Sequence, residues 1–466
     1  MVKSSHEQRE PAIITIFGVS GDLSRRKLLP ALYNLAKANI ISEHTYIVGV
    51  SRRELTVDRL IDDLEEHLTS SRRKIDQHTI NWLKDRLTIQ VMDLDEQSDF
   101  KKLRDTLDRI EDKVSVCLSR LFYLAVPVSA FSPLVSMIGA AGLNKGCQHA
   151  NVESRLLIEK PFGYDIKSAK LLIGDILKSF KEHETYRIDH YLAKETVQNI
   201  LILRSQNPVL EASWGHKYIK SITIRAIESI GIENRVDFYE QTGAFRDVIQ
   251  SHLMQILALI TMEMPESINT DSVHRAKVSV LEQIQAPRRE MMVSQSVRGQ
   301  YRGYTEEVDN TESITETYAS AIFSIDNDRW RGVPLKLETG KAMNEKLTEI
   351  VVEFKSRQRP EEASNILTVK IQPEDGVILD VRVKVPGFGE AVETIPVDFY
   401  YKERKSLKYP DAYERVIADA LHGDRTLFAT SEEVLESWRA SQPILDAWAD
   451  GDVQLELYEK GASSVV

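Results

Sequence analysis

Along the first third of the chain, short apolar runs alternate with stretches of helical period. Ile13–Val19, Tyr46–Val50, Leu121–Ala125 and Leu156–Ile158 have strand length and β-rich composition, whereas Lys27–Ile40 and Thr56–Leu68 repeat apolar positions three and four apart. Strand, helix, strand, helix predicts a parallel, doubly wound sheet of the Rossmann-like α/β type. From about Lys217 the pattern changes to longer alternating runs: Ser221–Ile227, Tyr318–Ile325, Glu349–Phe354, Ile366–Ile371, Ile378–Val385 and Thr394–Tyr401. These predict an α+β domain with a large, mainly antiparallel sheet. Helices are expected over Gly243–Thr261, over Asp411–Leu421 and from Ser431, where Thr430 and Glu433 have capping-box spacing. The boundary is placed near residue 190, giving domains 1–190 and 191–466, and ligands usually sit at such boundaries.

Length and charge narrow this picture. The 466 residues exceed any small stapled module and suggest two or three domains, at roughly 150 residues each. The net charge of −11 argues against broad binding of nucleic acid or of an anionic membrane, while leaving room for a local basic pocket. Cys117 and Cys147 are too few for a disulfide framework and lack metal-ligand spacing, so a reducing compartment, inert thiols and no metal site are expected. The polar Met1–Pro11 and the brevity of Ile13–Val19 do not fit a signal peptide, and no run reaches the ~18 apolar residues of a membrane span. A cytoplasmic protein is expected.

Three segments carry candidate chemistry. Ile13–Val19 runs into Gly18-Val-Ser-Gly-Asp-Leu23 and then a helical stripe of Leu28, Leu32, Leu35 and Ala36. Gly18 and Gly21 would let a backbone approach a pyrophosphate at a helix start, although G-x-x-G alone also fits a plain βα turn. The second strand ends in Ser51-Arg52-Arg53, where an NAD site would place an acid for the ribose 2′-hydroxyl. A guanidinium there suits the 2′-phosphate of NADP; Glu54 follows, so use of NAD stays open. The second segment, Arg187-Ile-Asp-His-Tyr-Leu-Ala-Lys-Glu195, sets His190 and Lys194 four apart. On a helix they would share a face and grip a dianion, or form an ordinary surface pair. The third, Thr242–Leu257, has a buried stripe with His252 on or beside it, either a core histidine or a base awaiting a carboxylate from elsewhere, for which Asp189 is the candidate. Lys341 and Lys346 follow a glycine in Trp330–Lys346 and read either as cleft cations or as exposed loop residues.

Together these segments, with Tyr123-Leu-Ala-Val-Pro127, Glu159-Lys-Pro-Phe-Gly163, Asp411–Arg415, Gly423–Phe428 and the Trp438 helix, resemble the glucose-6-phosphate dehydrogenase family over nearly the whole chain. The resemblance implies oxidation of glucose 6-phosphate to 6-phosphogluconolactone with reduction of NADP, the first step of the oxidative pentose phosphate pathway. It implies His252 as general base and Asp189 as its orienting partner. Gly18, Ser20, Gly21, Asp22, Leu23, Arg52 and Tyr123 fall at cofactor positions, and Lys160 would reach both cofactor and sugar. His190, Tyr191 and Lys194 match phosphate ligands, Glu228 and Asp247 match sugar-hydroxyl ligands, and Lys341 and Lys346 match further substrate contacts. The chain departs from the family pattern at Ala193, Ser251, Val236-Asp237, Trp214-Gly215 and Ser205. None of these removes a proposed ligand, but each bears on pocket shape. The expectation is a homodimer or homotetramer; the alternatives are a dehydrogenase of another aldose 6-phosphate, an NAD-preferring enzyme, or a non-catalytic nucleotide-binding homologue.

Overall fold

The computed structural model describes residues 10–72, 74–146, 152–356, 364–403 and 409–465. The chain forms two compact units. The first takes in the chain up to Gly163, Lys167–Ala193 and Pro410–Ser431; the second takes in Tyr164–Ile166, Lys194–Tyr409 and Glu432–Val466.

The first unit is built on β1 (Ala12–Phe17), β2 (Thr45–Ser51), β3 (Leu87–Val91), β4 (Ser119–Leu124), β5 (Ser154–Ile158) and β6 (Thr185–Ile188). They lie in the order β6-β5-β4-β1-β2-β3, all parallel, and β1 sits between β2 and β4 with Ala12 level with both Thr45 and Ser119. Every residue of β1 and β4 is buried, as a strand covered on both faces requires. Phe17 packs against Phe100 and Phe122 in the core beneath. Residues from far along the chain complete the unit: the helix Ala412–His422, and a strand Phe428–Ala429 that pairs antiparallel with β6. Buried Arg155 fastens this return, donating from Nη1 to the carbonyls of Ala420 and Leu421 at 2.8 and 2.6 Å. Cys117 lies two residues before β4; Cys147 lies outside the described residues.

The second unit carries a ten-stranded sheet. Its centre runs through β13 (Ile366–Gln372), β12 (Leu347–Phe354), β7 (Ile219–Ile227), β11 (Leu335–Gly340), β10 (Tyr318–Ile325) and β9 (Ser296–Tyr301), in that spatial order. Most pairs are antiparallel, but β7 and β11 are parallel, with Gly340 level with Ile227. The expected helix Gly243–Thr261 is instead three pieces. The helix Val236–Ala244 is kinked at Gly243, which has φ 62°; a nine-residue π-helix runs over Phe245–Leu253; an α-helix follows over Met254–Thr261. The π-helix packs on β7, β10 and β11.

Candidate active site

In the first unit, β1 ends in a turn that only glycine accommodates. Gly18 has φ 87°, and a Cβ there would lie 2.4 Å from the Ala125 carbonyl oxygen. The Gly18 and Val19 N–H groups donate to the Val50 carbonyl, and the Ser24 hydroxyl donates to the Gly18 carbonyl at 2.9 Å. A π-helix over Ser24–Leu28 leads into Leu29–Lys37, so the chain turns helical at the loop itself, earlier than Lys27. Beyond the carboxyl ends of β1, β2 and β4 lies a cleft of about 660 Å³, the usual ligand position in an open α/β sheet.

Of the residues at expected cofactor positions, Gly18, Ser20, Gly21 and Arg52 line this cleft; Asp22, Leu23, Tyr123 and Lys160 are not among its lining residues. Arg25, Arg53 and Arg59 join Arg52 there, facing the carboxylates of Glu54 and Asp63. Asp63 holds Arg59 at 3.2 Å and Arg25 at 3.9 Å. Arg25 and Arg59 escaped the sequence reading because each lies on a polar helix face among other charges. A glycine-lined turn, a helix start and an excess of guanidinium groups fit a dinucleotide bearing an extra phosphate.

Tyr123 is buried, and its hydroxyl donates to Glu159 Oε1 at 2.5 Å. Lys160 follows directly, two residues past β5. Arg187 in β6 is fully buried and paired with Glu182 at 2.8 Å, with Ser431 Oγ at 2.7 Å. Asp189 is also buried, and its Oδ1 accepts the Tyr191 N–H at 2.9 Å. That Asx turn competes with helix, so Asp189–Ala193 is a turn, and the idea that His190 and Lys194 share a helix face is corrected. The helix begins at Glu195, with Lys194 as its N-cap. The rings of His190 and Tyr191 are 5.0 Å apart. Asp189, His190 and Tyr191 belong to the first unit and Lys194 to the second.

In the second unit, one end of the sheet collects most of the remaining candidates. Glu228 and Lys341 each follow their strand directly, β7 and β11, and are ion-paired. Lys346 precedes β12, whose Leu347 is level with Ile227, one residue before Glu228; its side chain is exposed. Gln372 ends β13, bonded to Thr348 Oγ1 of β12 at 3.1 Å, and its Oε1 accepts from Lys194 Nζ at 2.8 Å. Gln372 is neutral and terminates an ordinary alternating strand, so nothing in the sequence pattern marked it. The π-helix supplies Asp247 and His252, both buried. Its i→i+5 winding turns residues five apart toward one side, where an α-helix would splay them. Arg235 pairs with Asp247 at 3.4 Å. Among the described residues, no cluster of three His, Cys, Asp or Glu side chains could hold a metal, and no helix is long and apolar enough to cross a membrane.

Residues 15–199 match the family described as the glucose-6-phosphate dehydrogenase NAD binding domain, and residues 201–465 match its C-terminal domain. The chain belongs to the glucose-6-phosphate dehydrogenase family. It is 37% identical over 464 residues to the glucose-6-phosphate 1-dehydrogenase of Chlamydia muridarum, covering 94% of this chain and 90% of the relative. It is 36% identical over 479 residues to that of Bacillus subtilis, covering 98% and 95%. Among solved structures, a glucose-6-phosphate dehydrogenase in complex with its substrate glucose-6-phosphate matches with a TM-score of 0.90 at 33% identity, over 98% of this chain and 95% of the other. The resemblance read from the sequence therefore holds over nearly the full length. So does the expected pairing of a parallel nucleotide-binding sheet with a large, mostly antiparallel one. Members of this family are oxidoreductases.

Proposed function

We propose that the protein oxidises D-glucose 6-phosphate to 6-phospho-D-glucono-1,5-lactone while reducing NADP, opening the oxidative pentose phosphate pathway. The observation that carries this is the gathering of Glu228, Lys341, Lys194 and Gln372 at one sheet end, beside a π-helix bearing Asp247 and His252, in a chain that matches both domains of the family. Acceptors and cations together suit a polyol with a dianionic handle. His252 removes the proton of the anomeric hydroxyl, and Asp189 orients its imidazole and stabilises the charge it gains. His190, Tyr191 and Lys194 hold the phosphate, Glu228 and Asp247 bind sugar hydroxyls, and Lys341 and Lys346 complete the contacts. Gly18, Ser20, Gly21, Asp22, Leu23 and Tyr123 form the dinucleotide site, Arg52 takes the 2′-phosphate, and Lys160 serves both ligands. When bound, the nicotinamide supplies the acceptor for the hydride leaving the same carbon. Positioning through the phosphate supplies much of the rate, and general-base assistance roughly 10²–10⁴ of it.

Glu54 and Asp63 in the cofactor cleft favour NAD as a second, weaker cofactor, because carboxylates accept from a 2′-hydroxyl. The family assignment supports a cytoplasmic homodimer or homotetramer. The test follows the reduced-nicotinamide absorbance with NADP or NAD and a panel of aldose 6-phosphates. Reduction with glucose 6-phosphate and NADP at the highest kcat/KM is expected, and its absence overturns the reading. His252→Asn should abolish turnover while calorimetry still detects glucose 6-phosphate binding.

A further inference from the structure

Glu159 is a partly buried carboxylate that none of the roles above uses, yet it immediately precedes Lys160. It emerges at the carboxyl end of β5, between β4 and β6. From β4, Tyr123 donates to its Oε1 at 2.5 Å. The second donor is Tyr413, more than 250 positions along the chain, whose phenol bonds the same carboxylate. Tyr413 is delivered by the helix Ala412–His422, which Asp411 caps by accepting the Tyr413 N–H at 3.0 Å. That helix is tied to the glycine-loop helices: Asn34 donates to Glu414 at 2.6 Å, Lys27 lies 3.9 Å from Asp411, and Lys27 Nζ sits 5.9 Å from the centre of the Tyr413 ring. One carboxylate thus joins the element after the dinucleotide loop to the turn that bears Lys160.

We propose that Glu159 is a positioning residue: gripped by the Tyr123 and Tyr413 phenols, its carboxylate fixes the turn that presents Lys160. The proposal rests on the reading of Lys160 as a ligand of cofactor and sugar. The electrostatics make the grip sensitive to pH near neutrality. Burial pushes the Glu159 carboxyl up to about 7, against the two phenol hydrogen bonds and the adjacent Lys160 ammonium, which lower it, while the Asp189 carboxylate raises it. Both phenols are themselves held well above their ordinary value, by burial first and then by the Glu159 charge, so they remain donors. An ionised Glu159 accepts from both phenols. A protonated one carries a hydrogen of its own, accepts less strongly, and withdraws its negative charge from beside Lys160. The grip therefore forms as pH rises through about 7 and loosens below it.

The test compares wild type with Tyr413→Phe, Tyr123→Phe and Glu159→Gln, the two phenylalanine variants each losing only one oxygen. Two readouts are followed from pH 5.5 to 9: kcat/KM with NADP and glucose 6-phosphate, and an infrared difference titration of the protonated-carboxyl band in the ligand-free protein. In wild type both share a midpoint near 7. In Tyr413→Phe, loss of a donor that favours the anion moves both midpoints upward by about one pH unit. In Glu159→Gln the band is absent and kcat/KM falls by roughly 10- to 100-fold, the cost of a misplaced ligand-bearing turn. Unmoved midpoints in both phenylalanine variants, or wild-type kcat/KM with an unchanged acid limb in Glu159→Gln, overturn the proposal. A wild type inactive on glucose 6-phosphate overturns the functional reading instead, and the infrared titration then still decides whether the two phenols grip a Glu159 carboxylate that titrates near 7.

Discussion

Lys341 and Glu228 occupy matched positions: each is the first residue beyond one of two parallel neighbouring strands, and their side chains form an ion pair. The match is enforced by the backbone, since the Glu228 N–H donates to the Gly340 carbonyl and the Lys341 N–H to the Thr317 carbonyl, both at 2.9 Å. Tyr458 adds a bond to the Lys341 carbonyl at 2.7 Å. A cation and an acceptor are thereby held side by side before any ligand arrives, which lowers the ordering cost of binding.

Replacing that cation should separate the two substrates. In Lys341→Gln, a charge-assisted contact worth ~1.5–3 kcal/mol is lost, so the KM for glucose 6-phosphate should rise roughly 10- to 100-fold. The KM for NADP should stay near the wild-type value. Steady-state kinetics with each substrate varied in turn checks this, and a rise confined to NADP would contradict the assignment of Lys341 to the sugar.

Gly243 is predicted to be irreplaceable. Its φ is 62°, and a Cβ there would come within 2.3 Å of Glu316 Oε1, the atom that accepts the Phe245 N–H at 3.0 Å. Glu316 is a buried carboxylate at the very start of the π-helix. Burial raises its pKa, while the backbone N–H groups of Phe245 and Glu316 and the nearby Arg246 and Arg298 pull the other way. Gly243→Ala must displace that carboxylate and with it the register of Asp247 and His252. The expected cost is ~1–3 kcal/mol of stability from the strained backbone alone. Urea unfolding measures it, with kcat falling by a larger factor than the KM values change.

How far the sequence reveals such relationships depends on their range. The alternating and helical periods located β1, β2, β7, β10 and the helix Ala412–His422 to within a residue or two, because burial on one or both faces writes itself into local pattern. Gly18, Gly21 and Arg52 were legible for the same reason: strand, turn and strand end are neighbours in sequence. Residues whose role is created by distant partners were not. Gln372 meets Lys194 across 178 positions, and Tyr413 reaches Glu159 only because Pro410–Ser431 returns to the first unit. The π-helix was hidden too, since Phe245–Leu253 has the apolar spacing of an α-helix, and its partners, Glu316 and the sheet beneath, are distant in sequence. The turn at Asp189 shows the converse, a local hydrogen bond from Tyr191 overriding a helical reading of His190 and Lys194.

Cofactor choice should depend on more than Arg52. Arg59 lies in the same cleft, held by Asp63 at 3.2 Å, and is therefore presented at little conformational cost. Arg52→Ala and Arg59→Gln should each lower kcat/KM for NADP by about tenfold, the worth of one charge-assisted phosphate contact, while changing it little for NAD. Both effects should shrink as salt is raised, because the cleft is open to solvent. Equal losses with the two cofactors would assign the arginines to the pyrophosphate instead.

Glu433 links the pH dependence of stability to a buried triad. Its Oε1 meets His274 Nδ1 and its Oε2 meets Lys277 Nζ, each at 2.7 Å, with the Glu433 and Lys277 side chains fully buried. A helix does start at Ser431, where the Thr430–Glu433 spacing predicted one, and both Glu433 carboxylate oxygens serve this triad. Burial works to raise the Glu433 pKa, yet Lys277 and His274 together hold it below the ordinary value of 4.5. A carboxyl whose pKa is lower folded than unfolded stabilises the native state above about 4.5 and loses that contribution as pH falls through the lowered value. Urea midpoints of the wild type should therefore decline steeply on acidification below about 4.5, and Glu433→Gln should flatten that decline. At neutral pH, Glu433→Ala strands the Lys277 ammonium in the interior, and the expected cost is ~3–5 kcal/mol. Adding Lys277→Met to Glu433→Ala should recover much of it, whereas a double variant no more stable than Glu433→Ala would show that the loss comes from packing and not from the orphaned charge.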